Sequence, residues 1–332
     1  MLAVRVARAG DSLAVLPALA LLRAALPGAR IEWLASAYAA PLLARAPVDR
    51  VHAWPHHGRG LRAWWARRAA RSALRELGPP DLWLGLEDKP WGRRLAAALG
   101  ARFVWARSPL AGHLVERKAG VLRPLGLWTR GPAPWVALEA DPALRAAEAA
   151  ALAGLPRPWI GLQAGSYGAR RWLGRRRDPR PEWIAAAGIA VARALGGSLV
   201  LQTGLGGAEA RAAEEVAGAL RAAGAPHRLA AGLDLPRLHA LLAGLDALVS
   251  ANTGPAHLAA AAGTPVVLLE GPSTPAARPW CPPARLAVLA RGLPCAPCRG
   301  SAHGRLCQVP RCLDELAPAG VVAALRGLLN PA

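Results

Sequence analysis

Hydrophobic and polar positions fall into blocks along the chain, and the period changes from block to block. Leu2–Ala7 is a short apolar run ending in Arg8-Ala-Gly-Asp11, and from Ser12 to Leu26 apolar residues recur at helical spacing until Pro27-Gly28. A strand, a tight loop and a helix are expected there. Ile31–Ala35, Asp81–Leu86 and Arg102–Trp105 read as further strands, with helical stretches near 61–77 and 90–99. Such alternation predicts a parallel sheet covered by helices. After a Pro- and Trp-bearing stretch, Gly131–Pro158, the pattern restarts with strand Trp159–Gln163, helix Pro181–Leu195, strand Ser198–Thr203 and helix Ala208–Ala222. Helix Leu235–Ala243, strand Ala247–Ser250, a helix opening at Gly254 and strand Pro265–Leu269 follow. Two α/β halves result, 1–150 and 151–332; the final helix, Pro318–Leu329, fits either half. In paired domains of this kind the ligand lies at the C-terminal ends of the strands, so the loops after strands should carry the chemistry.

With 332 residues, 53% hydrophobic and 19% charged, the chain can bury two substantial cores, which excludes a disordered tail or a disulfide miniprotein. Lys and Arg total 41 against 21 Asp and Glu, and lysine occurs only at Lys89 and Lys118, so the +20 surplus is almost entirely arginine. A nucleic-acid partner is therefore one reading. A GC-rich coding sequence gives the same skew without selection on charge. No apolar run approaches the roughly 18 residues of a spanning helix. Leu13–Leu22, preceded by Arg5 and Arg8, has the outline of a signal peptide, but Asp11 interrupts it and Leu2–Ala7 reads as a strand. A cytoplasmic protein is expected.

Three strings carry candidate chemistry. Gly10-Asp11 sets a carboxylate at the first strand-to-helix turn, able to take a proton from a bound hydroxyl or to complement the helix dipole. The turn lacks the G-x-G-x-x-G spacing of a dinucleotide fingerprint. Gln163-Ala-Gly-Ser-Tyr-Gly-Ala-Arg-Arg-Trp172 is a small-residue loop whose backbone N–H groups, Ser166 and Arg170 suit a diphosphate, or else form a solvated loop. Ser250-Ala-Asn-Thr-Gly-Pro-Ala-His257 ends a strand and opens a helix whose free N–H groups can bind phosphate, with Asn252, Thr253 and His257 beside them. Glu270-Gly-Pro-Ser-Thr-Pro275 closes the next strand with another polar turn.

In this order the strings resemble the ADP-heptose:lipopolysaccharide heptosyltransferases, glycosyltransferase family 9. The resemblance spans nearly the whole chain: Arg5-x-x-x-x-Gly10-Asp11 and then Leu16-Pro-Ala-Leu19; Gly165-Ser166 with Arg170-Arg-Trp172; Gly204-Leu-Gly-Gly-Ala-Glu209; and Thr253-Gly-Pro-Ala-His257-Leu-Ala-Ala-Ala. It implies the GT-B fold, two Rossmann-like domains with parallel sheets facing across a cleft, an acceptor-binding first domain and a nucleotide-sugar-binding second. It also implies an inverting transfer of sugar, heptose from ADP-heptose, to a lipid-linked or lipopolysaccharide-type saccharide. Asp11 would be the general base, Gly165, Ser166 and Arg170 would hold the diphosphate, and Glu209 the ribose hydroxyls. Asn252, Thr253, Gly254 and His257 would meet phosphate and donor sugar. Arg170 stands where the family commonly has lysine, and Asn252 where it often has aspartate. No Asp-x-Asp motif is present, so transfer is expected to need no metal. Rival readings are a nucleic-acid-binding protein and a GT-B sugar-nucleotide epimerase or hydrolase.

Two features remain. From His56 to Arg75 the chain holds Arg59, Arg62, Arg67, Arg68, Arg71 and Arg75 with Trp64 and Trp65, and no acid. Arg59, Arg62 and Trp64 are candidate contacts to an anionic lipid-linked acceptor at the inner face of the membrane, the alternative being a solvated helix with tryptophan against the core. Cys295-x2-Cys298-x8-Cys307-x4-Cys312 has zinc-like spacing and admits a structural zinc, two disulfides or four free thiols.

Overall fold

The computed structural model describes the chain apart from residues 56–59, 87–88, 166–177, 205, 300, 308 and 331–332. It divides into two compact units, Met1–Leu138 and Glu139–Ala332. The first carries a five-stranded sheet of β1 (Leu2–Arg5), β2 (Glu32–Ser36), β3 (Arg50–Trp54), β4 (Leu82–Gly85) and β5 (Phe103–Trp105) in the order β3-β2-β1-β4-β5. The second carries six strands, β6 (Trp159–Gln163), β7 (Ser198–Gln202), β8 (His227–Ala230), β9 (Ala247–Ala251), β10 (Val266–Glu270) and β11 (Leu286–Ala290), ordered β11-β10-β9-β6-β7-β8. Every pairing in both sheets is parallel. The order reverses between β1 and β4 in one unit and between β6 and β9 in the other, and such switch points are where doubly wound sheets bind ligands.

Central strands of the second sheet, Trp159–Gln163, Ala247–Ala251 and Val266–Glu270, are buried at every position, because helices cover both faces. Each unit has its own core: Leu2, Val4, Trp83 and Leu95 anchor one, and Ile160, Leu162, Val216, Leu220 and Val267 the other. Gly188 shows how tightly a helix sits on the second sheet. A Cβ there would stand 2.9 Å from Leu162 Cδ1 and 3.1 Å from Leu199 Cδ1, so the Pro181–Leu195 helix needs glycine at that contact.

Two expectations change, and an alternative left open is resolved. The single helix over 12–26 is two, Ala9–Leu13 and Leu16–Ala25. Pro17 has no N–H to donate and its ring would meet the carbonyl of Leu13, so a continuous helix breaks and restarts with proline in its first turn. The stretch 131–158 contains a helix, Pro142–Ala150, whose N-terminal N–H groups of Ala143 and Leu144 bond Asp141 Oδ1 at 2.9 and 3.1 Å. That helix packs on Leu235–Gly244 of the second unit, which moves the division from 150 to 138. The final helix, Pro318–Leu329, lies against Pro181–Leu195 and β11 and belongs to the second unit. No described helix is long and apolar enough to cross a membrane.

Candidate functional site

In the first unit β1 is followed by the five-residue helix Ala9–Leu13, with Asp11 in its first turn. Arg8 takes the N-cap position, and the Asp11 side chain is 47% exposed, its Oδ1 3.6 Å from Nη2 of the nearly buried Arg5. A solvent-open carboxylate beside Arg5 at the end of the central strand is chemically able to accept a proton.

In the second unit three loops meet the C-terminal ends of β6, β7 and β9. Gly165 follows β6 with φ +156°, a backbone angle that favours glycine, and lies against Glu209. Glu209 stands in the first turn of the Gly207–Ala222 helix and is only 5% exposed. The carboxylate accepts the Gly206 N–H, yet burial and the nearby Asp178 hold its pKa above the usual range, burial being the larger cause. A Cβ at Gly204 would strike Glu209 Oε2 and stand 2.9 Å from Cδ, so glycine at 204 makes room for the acid. Among the described residues Glu209 Oε2 has no hydrogen-bond partner, and neither do Thr203 Oγ1 or the amide atoms of the almost fully buried Gln202. A cluster of buried polar atoms without partners is built for something that supplies them. Gln202 and Thr203 were not among the sequence candidates, because a Gln-Thr pair at a strand end carries no motif.

The third loop opens the Gly254–Ala262 helix. Thr253 is its N-cap, but its hydroxyl is bonded to Ser250 Oγ at 3.0 Å and does not cap the helix, leaving the Gly254 and Ala256 N–H groups and the positive end of the dipole uncapped. His257 Nε2 lies 3.1 Å from Asn252 Oδ1, while Asn252 Nδ2 donates to the Ala277 carbonyl at 3.0 Å. Ala277 is fixed in turn by Arg278, whose Nε and Nη2 reach Glu270 Oε1 and Oε2 at 2.7 and 2.6 Å, a bidentate pair at the end of β10. That pair raises the Arg278 pKa further. The string from Asn252 to His257 is thus a braced unit; its brace, Arg278, gave no signal in sequence.

Several candidates lie elsewhere. Ser166, Arg170 and Arg59 fall outside the described residues. Arg62 and Trp64 are on the Leu61–Arg75 helix, exposed, with the tryptophan away from the core. Among the described residues no group of three or more His, Cys, Asp or Glu side chains is arranged to hold a metal ion. Cys298 and Cys312 are buried, Cys312 with its Sγ against Gly271 in the apolar core, Cys295 is exposed, and Cys307 Sγ donates to the Val309 carbonyl at 3.4 Å. All are free thiols. Burial, reinforced by the neighbouring sulfurs of Cys298, Cys307 and Cys295, pushes the Cys312 thiol up to about 11.

Two doubly wound parallel sheets, the second carrying a buried acid, an uncapped helix N-terminus and small-residue turns at adjacent strand ends, make a GT-B architecture. The family model of glycosyltransferase family 9 (heptosyltransferase) matches residues 92–305, and the chain belongs to that family. Among solved structures it is similar to a family 9 glycosyl transferase from Veillonella parvula, at 20% identity and TM-score 0.79 over 99% of this chain and 96% of that one. ADP-heptose lps heptosyltransferase II from E. coli matches at 22% identity and TM-score 0.73 over 99% and 98%. The E. coli heptosyltransferase WaaC with ADP matches at 20% and 0.64 over 86% and 92%. No curated protein matches the chain by sequence.

Proposed function

We propose that the protein is an inverting glycosyltransferase that moves heptose from an ADP-linked donor to an anionic, lipid-linked saccharide acceptor at the cytoplasmic side of the membrane. The observation that carries this reading is Glu209, buried in a turn cleared by Gly204, with a carboxylate oxygen that finds no partner among the described residues. A vicinal diol such as that of a ribose donates to such a carboxylate and relieves the cost of its burial. Supporting it is the open N-terminus of Gly254–Ala262, which suits a diphosphate.

In this mechanism Asp11 takes the proton of the acceptor hydroxyl as its oxygen attacks the anomeric carbon from the face opposite the diphosphate. The anomeric C–O bond breaks, its electron pair leaves on the ADP, and the configuration inverts. Arg170, Ser166 and the N–H groups at Gly254 stabilise the charge that develops on the departing diphosphate, so no metal is needed. Asn252 and His257 orient the donor sugar; Arg59, Arg62 and Trp64 receive the acceptor.

Calorimetric titration with ADP, UDP, GDP, CMP and a short RNA tests the donor half. Selective ADP binding, lost in Glu209→Ala, is the expected result; tight RNA binding without nucleotide preference overturns the reading. For the chemistry, Asp11→Ala should lower transfer by about two to four orders of magnitude at unchanged ADP affinity. Wild-type turnover in that variant removes the base, and release of free sugar without acceptor points to a hydrolase.

A further inference from the structure

The Leu61–Arg75 helix buries little of itself. Ala63 and Leu74 face the core, Arg67 and Ala70 are half-buried on the same side, and the remainder is open. At about 100° per residue, Leu61, Trp65, Arg68 and Ser72 project from the opposite side, with Trp64, Arg71 and Arg75 alongside. Leu61 is 78% exposed, Trp64 51% and Trp65 59%. The two indoles pack edge to face, centroids 4.8 Å apart, and the Arg68 guanidinium stands 5.7 Å from the Trp64 ring. Arg67 Nε donates to the Pro55 carbonyl at 3.1 Å, so the helix is tied to the end of β3 and its outward face is held in place.

We propose that this face is a docking surface for an anionic lipid bilayer, with Leu61, Trp64 and Trp65 seated in the headgroup layer and the arginines on lipid phosphates. It goes beyond the transfer reaction, since nothing in it depends on the donor. Charge selects the occupant. The helix has five arginines and no acid, and among the described residues Arg62, Arg68, Arg71 and Arg75 form no ion pair. A 15-residue helix is about 22 Å long and can lie flat on a surface, apolar wedge down, with cations reaching the phosphate plane around it. A polynucleotide would satisfy the arginines but leave Leu61 in water, and the edge-to-face indoles do not offer the open parallel faces on which bases stack. Arg62 and Trp64, assigned above to the acceptor, share this face, so anchoring would bring the protein to a surface in which a lipid-linked acceptor resides.

Flotation of the full-length protein with acceptor-free vesicles decides the matter, comparing phosphatidylcholine alone with phosphatidylcholine containing about one third phosphatidylglycerol. Binding is expected only to the anionic vesicles. It should weaken as salt rises from about 0.1 M to about 1 M and the Debye length falls from about 10 to about 3 Å. The triple variant Arg68→Gln/Arg71→Gln/Arg75→Gln should bind roughly a hundredfold more weakly, at about 1 kcal/mol per arginine. Leu61→Ser/Trp65→Ser should lose about tenfold or more. These side chains are exposed, and unchanged far-ultraviolet circular dichroism confirms that both variants fold. Wild-type vesicle binding by both variants overturns the proposal, as does equal binding to neutral vesicles or binding to a short RNA with none to anionic vesicles. Failure to bind ADP would remove the proposed donor and leave the vesicle result standing.

Discussion

Glu209 is a residue whose place in the fold costs stability. Its carboxyl pKa is raised chiefly by burial, so the folded state holds the proton more tightly than the unfolded chain does. The folded state therefore binds more protons than the unfolded state as pH rises through the two values. Stability falls across that window, and above it the ionised acid carries the full desolvation penalty. Glu209→Gln keeps the shape and removes the charge. The ADP-free variant should melt higher than wild type at pH 7, by on the order of 2 °C, with the difference vanishing near pH 4. Its ADP affinity should fall by roughly tenfold or more as charge-assisted bonds to the ribose become neutral ones. Calorimetric melts at both pH values, paired with titrations, check the two halves together. A variant less stable than wild type at neutral pH would mean that the acid is satisfied within the fold and is not held ready for a ligand.

At the scale of elements, the Leu235–Gly244 helix is the wedge of the second unit, packed against both Pro142–Ala150 and Gly254–Ala262. His239 on it is 2% exposed, its Nε2 has no partner among the described residues, and burial pushes its pKa down to about 4. The ring is neutral in the fold and ordinary in the unfolded chain. Its contribution is therefore complete above about pH 6.5 and is lost as pH falls towards 4, amounting to roughly 3 kcal/mol over those units. Asp49 and Glu315, whose carboxyls are lowered by hydrogen bonds, lose their contributions at more acid pH. Urea unfolding between pH 7 and 4 should show this decline in wild type and a much flatter one in His239→Leu. An unchanged slope would assign the loss to carboxylates instead. The elements themselves were legible to different degrees. Buried central strands such as Val266–Glu270 announce themselves as unbroken apolar runs. The edge strands β3 (Arg50–Trp54) and β8 (His227–Ala230) do not, since their partly exposed positions carry polar residues among few apolar ones, whereas β11 (Leu286–Ala290) is an unbroken apolar run that the sequence reading passed over. The site divides the same way. Asn252 to His257 and Gly204 to Glu209 are local strings in which turn, helix start and polar group are adjacent in sequence. The bond from Asn252 to Ala277, the clamp of Glu270 by Arg278 and the orphaned amide of Gln202 are products of tertiary packing, and no local pattern encodes them.

For the whole molecule, the +20 charge is less informative than its distribution. Part of it is absorbed in structural pairs, such as Arg180 with Asp314 and Arg237 with Glu148, which tie loops and helices of the second unit together. Arg62, Arg68, Arg71 and Arg75, which form no ion pair among the described residues, belong to the first unit, while the buried polar atoms without partners around Glu209 belong to the second. Each unit has a separate hydrophobic core, so a ligand held by one can stabilise that one alone. ADP at a hundredfold excess over its dissociation constant adds about 2.7 kcal/mol to the state that binds it. Hydrogen exchange should therefore slow by about two orders of magnitude in amides of the second unit that open only with its core, in β6, β7, β9 and Gly254–Ala262. Exchange in β1, β2 and β4 should stay as it was. Glu209→Ala should erase the protection, whereas Asp11→Ala should leave it intact, because the role proposed for that acid is on the acceptor hydroxyl and not on the nucleotide. Equal slowing of both cores would mean that the first unit also grips ADP, and the division of labour between a donor-binding and an acceptor-binding half would have to be abandoned.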